Sequence, residues 1–332
     1  ANFGLFLAPM SADLGWGREV FALSMAIQNL MWGLGQPIAG MIADRYGTGR
    51  VLAAGGLLYA LGIYGMAHAS TPGMFHITGG FMVGLGMSGA SFSLVLAALG
   101  RMVSEERRNL VFGVCTAAGS LGQFFLVPIG QAFLAAYGWP TALMLLALMV
   151  AMIIPLSTAM RGRPVAQPGA AKQSMGQALT EARQHSGYIY LTAGFFVCGF
   201  HISFIGTHFP AYITDKGLAP ELGAQALAMV GLFNLFGAIL AGVLGNRYKK
   251  KNLLSWIYLA RAVFIALFIM LPITPPTVLI FSAAMGLTWL STVPLTSGIV
   301  AQVFGPRYMG TLFGFVFLSH QLGSFLGVWL GG

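Results

Sequence analysis

Gly40-Met41-Ile42-Ala43-Asp44-Arg45-Tyr46-Gly47-Thr48-Gly49-Arg50 sets three charges in one short turn between two long apolar runs. It reads as a loop at a membrane surface. The signal returns once: Ala39, Gly40, Asp44, Arg45 and Tyr46 are echoed by Ala241, Gly242, Asn246, Arg247 and Tyr248, each 202 positions later. A second echo sets Gly119-Ser120-Leu121-Gly122-Gln123-Phe124 against His320-Gln321-Leu322-Gly323-Ser324-Phe325 at an offset of 201, and both copies fall within long apolar runs. Two halves of similar build follow.

Composition agrees with a lipid solvent. Hydrophobic residues make up 57% of the chain, charged residues 8%, and the mean hydropathy is +0.80. So few polar side chains cannot coat a soluble globule of 332 residues. The formal charge of +9 does not point to nucleic acid, because the basic residues form short clusters between apolar stretches of spanning length. Cys115 and Cys198 sit inside apolar stretches without metal-ligand spacing around them, so neither a disulfide framework, a metal site nor a cofactor is expected. The sequence lacks a Walker-type Gly-rich loop with Lys-Ser or Lys-Thr, which excludes ATP drive within this chain.

In chain order, the apolar stretch from Phe3 to Met10 is shorter than the roughly twenty residues a spanning helix needs. Spans are expected near Glu19 to Ala43, Val51 to Ala69, a Gly-rich stretch ending near Gly100, Leu110 to Ala136 and Trp139 to Met160. Residues 161–186 form a polar linker with a short surface helix expected near Met175 to Gln184. Further spans are expected near Gly187 to Tyr212, Glu221 to Gly245, Leu253 to Leu271, Thr277 to Val303 and Met309 to Leu330. The expectation is an all-α polytopic membrane protein of two six-helix bundles, 1–160 and 187–332, related as a parallel pseudo-repeat. Its first helix is read as truncated and its last as missing. Fourteen of the seventeen Lys and Arg fall in loops of one side, which the positive-inside rule assigns to the cytoplasm of a bacterial-type inner membrane, together with the linker and the Asp44 loop.

Polar groups inside a bilayer ask for a partner, a wet cavity or a task. Arg261 falls about eight residues into its span, on the order of 12 Å from the cytoplasmic end, and the eight acids all lie in loops or near span ends. Two readings stay open: an embedded cation awaiting an anionic substrate, or an Arg satisfied by backbone carbonyls or by the interface. His201 and His320 lie near the middles of their spans and titrate near neutral pH, so each is a candidate to bind a carboxylate or relay a proton, or else an interhelical hydrogen-bonder. Gln28, Asn29, Gln123, Asn234 and Trp289 add neutral hydrogen-bonding groups at membrane depth. His68 and His76 flank an outer turn and are read as solvated.

Gly40-x-x-x-Asp44-Arg45-x-Gly47 resembles the loop signature of the major facilitator superfamily of secondary transporters. Arg107, Arg108, Leu110, Gly113 and Ala117 are similar to a stretch of its monocarboxylate and oxalate:formate group. Thr48 and Gly49 depart from the signature by standing between Gly47 and Arg50, and Asn246 replaces the acid in the second copy. The resemblance implies alternating access and a conformational latch built from Gly40, Asp44, Arg45 and Arg50. In that latch Asp44 lies against the positive N-terminal end of the helix starting near Met309, with a weaker companion at Asn246. It also implies transport of a small organic anion, proton-coupled or by exchange, and no enzyme chemistry. The alternatives are a same-fold exporter of hydrophobic drugs or metabolites, and a receptor-like membrane protein without transport.

Overall fold

The computed structural model describes residues 4–160 and 174–330. The basic part of the linker, with Arg161, Arg163 and Lys172, lies outside the described residues, as does the side chain of Gln123. The described residues are helical and hold no strand. In order they form α1 (Gly4–Leu14), α2 (Arg18–Tyr46), α3 (Thr48–Ala67), α4 (Pro72–Phe75), a π-helical turn (His76–Met82), α5 (Val83–Gly89), α6 (Phe92–Met102), α7 (Glu105–Ala151) and α8 (Ile153–Leu156). A 3₁₀ turn (Ser157–Met160) follows, then α9 (Met175–Gln184), α10 (Ser186–Asp215), α11 (Pro220–Arg247), α12 (Lys250–Met270), α13 (Pro275–Thr288), α14 (Thr292–Phe304) and α15 (Met309–Leu330).

Among the described residues eight helical stretches are long and apolar enough to cross a bilayer. Helix α2, with Gln28, Asn29 and Gln36 along its length, falls outside that set although it runs for 29 residues. Helix α7 is two rods in one run, because Gly138, at φ 73° and ψ 170°, turns the chain in a conformation that L side chains rarely adopt. Two spans are broken midway. One is interrupted between α5 and α6 at Ala90–Ser91 and the other between α13 and α14 at Trp289–Ser291, at matching places in the repeat.

The chain forms two compact units. The first comprises Ala1–Ala98, Gln123–Glu181 and Arg307–Gln321, and the second Leu99–Gly122, Ala182–Pro306 and Leu322–Gly332, so each draws on both sequence halves. The first is cored by Phe6, Met10, Phe21, Phe75, Trp139 and Leu143, the second by Phe209, Ile213, Phe268, Phe281 and Met285. Large apolar side chains also cover the outside. On α12, Trp256, Leu259, Val263, Leu267 and Met270 recur at helical spacing and are exposed, as a lipid-facing stripe requires, while Arg261 on the opposite face is fully buried.

Candidate functional site

Within the first unit, α2 meets the start of α15 at backbone contact distance. A Cβ on Gly40 would stand 2.3 Å from the carbonyl oxygen of Gly310, so only glycine allows this crossing. One turn further, buried Asp44 accepts hydrogen bonds from the backbone N–H groups of Gly310 (3.3 Å) and Thr311 (2.7 Å) and from the Thr311 hydroxyl (2.8 Å). First-turn amides of a helix have no partner of their own and carry its positive dipole end, so a carboxylate is the matching group. Arg45 and Arg50 are not part of this contact: both are exposed, with the Arg45 guanidinium 5.3 Å from the Tyr46 ring. The Thr48–Gly49 departure from the signature also has a physical reason. A Cβ on Gly49 would come within 2.8 Å of the Ser157 carbonyl oxygen, so the inserted glycine lets α3 start against the 3₁₀ turn that ends the same half.

The companion contact in the second unit is built the other way round. Gly242 crosses Asn109 and Gly113 closely too, a Cβ there standing 2.7 Å from the Asn109 carbonyl oxygen, but Asn246 is exposed. Asn109, near the start of α7, reaches across instead and donates to the Gly245 carbonyl at 3.0 Å. Gly298 leaves the space its side chain needs. Asn109 was missed by sequence reasoning, although the repeat offset carries it onto Gly310 and Thr311. This second contact is neutral where the first is charged.

The broken spans each gather polar residues at membrane depth. At Ala90–Ser91, Gln36 from α2 donates to the Ser91 hydroxyl at 2.7 Å and reaches the Ser88 carbonyl at 3.5 Å. At Trp289–Ser291 the repair comes from two helices. Arg261 donates through Nη2 to the carbonyls of Thr288 and Trp289 and through Nη1 to Cys198 Sγ at 3.3 Å. Asn234 accepts from the Leu290 N–H at 2.9 Å and donates to Ser120 Oγ at 2.7 Å. The guanidinium thus supplies the carbonyls that the break releases, and the amide supplies the N–H. Cys198 also meets Thr292 Oγ1 at 3.3 Å.

Two buried nitrogens on α10 and α12 stay unmatched among the described residues: Nδ1 of His201 and Nε of Arg261. Trp289 is half-buried. In the first unit the phenyl ring of Phe317 lies between Trp32 (5.1 Å) and His320 (5.6 Å, stacked), and His320 Nδ1 meets Gln321 Oε1 at 3.2 Å. Gln28, one turn before Trp32, donates to Met87 Sδ at 3.1 Å, while its Oε1 and the Trp32 Nε1 are buried without partners among the described residues. Asn29 is half-buried beside it in sequence. His76 is not simply solvated, since its Nδ1 meets Ser24 Oγ at 2.8 Å. His208 reaches the Val328 carbonyl at 3.0 Å.

This arrangement has known relatives. Residues 1–328 match the description of the Major Facilitator Superfamily. The chain is 26% identical over 341 residues to the Bacillus subtilis protein described as uncharacterized MFS-type transporter YcxA, covering 100% of this chain and 83% of the relative. It is 24% identical over 345 residues to rat monocarboxylate transporter 13, covering 100% and 77%. Among solved structures, the Escherichia coli fucose:proton symporter FucP aligns with a TM-score of 0.74 at 13% identity, over 98% of this chain and 88% of that one. With the glycine crossings, the carboxylate on a helix start and the apolar spans in place, the chain belongs to the major facilitator superfamily of membrane transporters.

Proposed function

We propose that this secondary transporter carries a small organic anion of the monocarboxylate or dicarboxylate class, with the Asp44 loop on the cytoplasmic face of a bacterial-type inner membrane. The supporting observation is the presence of buried Arg261 and half-buried His201 at membrane depth, each with a nitrogen unmatched among the described residues, in spans whose acids lie at the ends. Positive charge held in a low-dielectric setting without a carboxylate favours an incoming anion. The monocarboxylate transporter relatives support the same class of cargo. Protons are the proposed driving ion. Protonation of His201 or His320 strengthens anion attraction from the acidic side, and release after passage resets the site. Gln28, Asn29, Gln123, Asn234 and Trp289 are proposed to supply neutral contacts, and the halves 1–160 and 187–332 to move as the two alternating bundles.

The test is uptake of labelled lactate, pyruvate or oxalate into vesicles with and without an inward proton gradient. Acid-stimulated uptake by the wild type, with stimulation lost in His201→Gln, supports the proposal. Uptake without proton stimulation assigns exchange instead. Flux of hydrophobic dyes with none of any carboxylate overturns the anion reading.

A further inference from the structure

A cavity of about 420 Å³ opens in the second unit between the start of α10, the first turns of α12 and the end of α14. It is as large as a small-molecule pocket, roughly 300–1,000 Å³. Leu191, Leu254, Val300 and Val303 line it, and Tyr258, whose hydroxyl donates to the Gly194 carbonyl at 2.7 Å, bounds it further along α12. Lys251 and His185 supply its polar end, and no acid lines it among the described residues. Lys250 is committed to Gln302 Oε1 at 2.9 Å, whereas Lys251 is exposed and has no partner among the described residues. His185 Nδ1 accepts the Tyr188 N–H at 3.3 Å, which in a neutral ring places the proton on Nε2 and leaves that edge to donate.

A basic end joined to an apolar slot is complementary to a molecule that is anionic at its head and aliphatic in its tail. We propose that this cavity is a binding site for an anionic phospholipid of the leaflet at the Lys249–Lys251 end of α12. The phosphate sits at Lys251 and His185, and one acyl chain follows the apolar wall toward Tyr258. The triple-lysine stretch draws anionic headgroups to the surface, and the cavity adds selection by shape. A free phosphate would leave the apolar wall unused. This inference does not depend on the transported solute.

The purified protein, delipidated and then offered phosphatidylglycerol and phosphatidylcholine with identical chains, is read by native mass spectrometry. Wild type retains the anionic lipid at least about fivefold over the zwitterionic one, the factor expected of one surface lysine. Lys251→Ala removes that preference and Lys251→Arg keeps it. Val303→Trp, at a position 43% exposed and therefore safe for folding, fills the slot and lowers retention of both lipids. Equal retention of the two lipids by wild type, unchanged preference in Lys251→Ala, or unchanged retention in Val303→Trp overturns the proposal. Displacement of the lipid by glycerol phosphate at equal concentration also overturns it, because that result assigns a free-phosphate site.

Discussion

Asp44→Asn tests the latch at near-constant shape. The wild-type carboxylate is 6% exposed, and its hydrogen bonds include two from first-turn amides of α15 and one from the Thr311 hydroxyl. The amide keeps one acceptor oxygen, turns the other position into a donor facing a donor, and removes the charge that the helix dipole favours. A charge-assisted bond contributes about 1.5–3 kcal/mol against roughly 1 for a neutral one, and a buried dipole contact up to about 2. Allowing for overlap, the closed arrangement of α2 on α15 should lose about 2–3 kcal/mol, a shift of roughly 30- to 150-fold in the closed-to-open ratio. The assay is maleimide labelling of Met309→Cys, a fully buried position at the start of α15, in a Cys115→Ala, Cys198→Ala background. Labelling should accelerate at least tenfold in the Asn variant, while exposed Lys251→Cys labels at an unchanged rate. Rates at Met309→Cys within twofold of each other would refute the latch.

Other expectations follow from the same geometry. Arg261→Met strands two buried carbonyls and should destabilise the protein by about 2–5 kcal/mol, with Arg261→Lys intermediate because an ammonium cannot reproduce the fork; thermal unfolding in detergent checks the order. Gly40→Ala drives a Cβ into the Gly310 backbone and should cost about 1–3 kcal/mol, whereas Gly119→Ala, with nothing within 4 Å of the added carbon, should be neutral or stabilising; melting temperatures separate the two. Asn234→Leu leaves the Leu290 N–H and Ser120 hydroxyl without their partner and should lower stability by about 1–3 kcal/mol, read in the same assay. Trp139→Phe removes the indole bond to Asp13 Oδ2 (2.8 Å) and should cost about 1 kcal/mol, checked by chemical denaturation.

Eight of the ten expected spans were legible because hydropathy is a property of the chain alone, whereas the stretches near Glu19–Ala43 and Leu110–Ala136 are helical but fall outside the set apolar enough to cross. The short helix Met175–Gln184 and the reversal beside Trp139 fell where polarity and Gly138 place them. The partners of Arg261 were not legible as a choice between the two open readings. Carbonyls are present in every sequence, and those it meets exist as free acceptors because the span breaks at Trp289–Ser291. Asn109 escaped notice because its role depends on a helix crossing set by Gly113, Gly242 and Gly298. The Ser24 contact of His76 escaped for the same reason, since it joins residues 52 positions apart.

Counterflow reads whether this protein recognises and exchanges a small organic anion. Proteoliposomes loaded with unlabelled carboxylate are diluted into trace labelled carboxylate, so that net driving force and coupling ion drop out and only recognition and alternation are read. A transient overshoot of label is expected for at least one of lactate, pyruvate or oxalate, lost when Arg261 or His201 is neutralised in protein that still folds. No overshoot with any small organic anion, from wild-type protein that counterflows a hydrophobic solute, would contradict the anion reading.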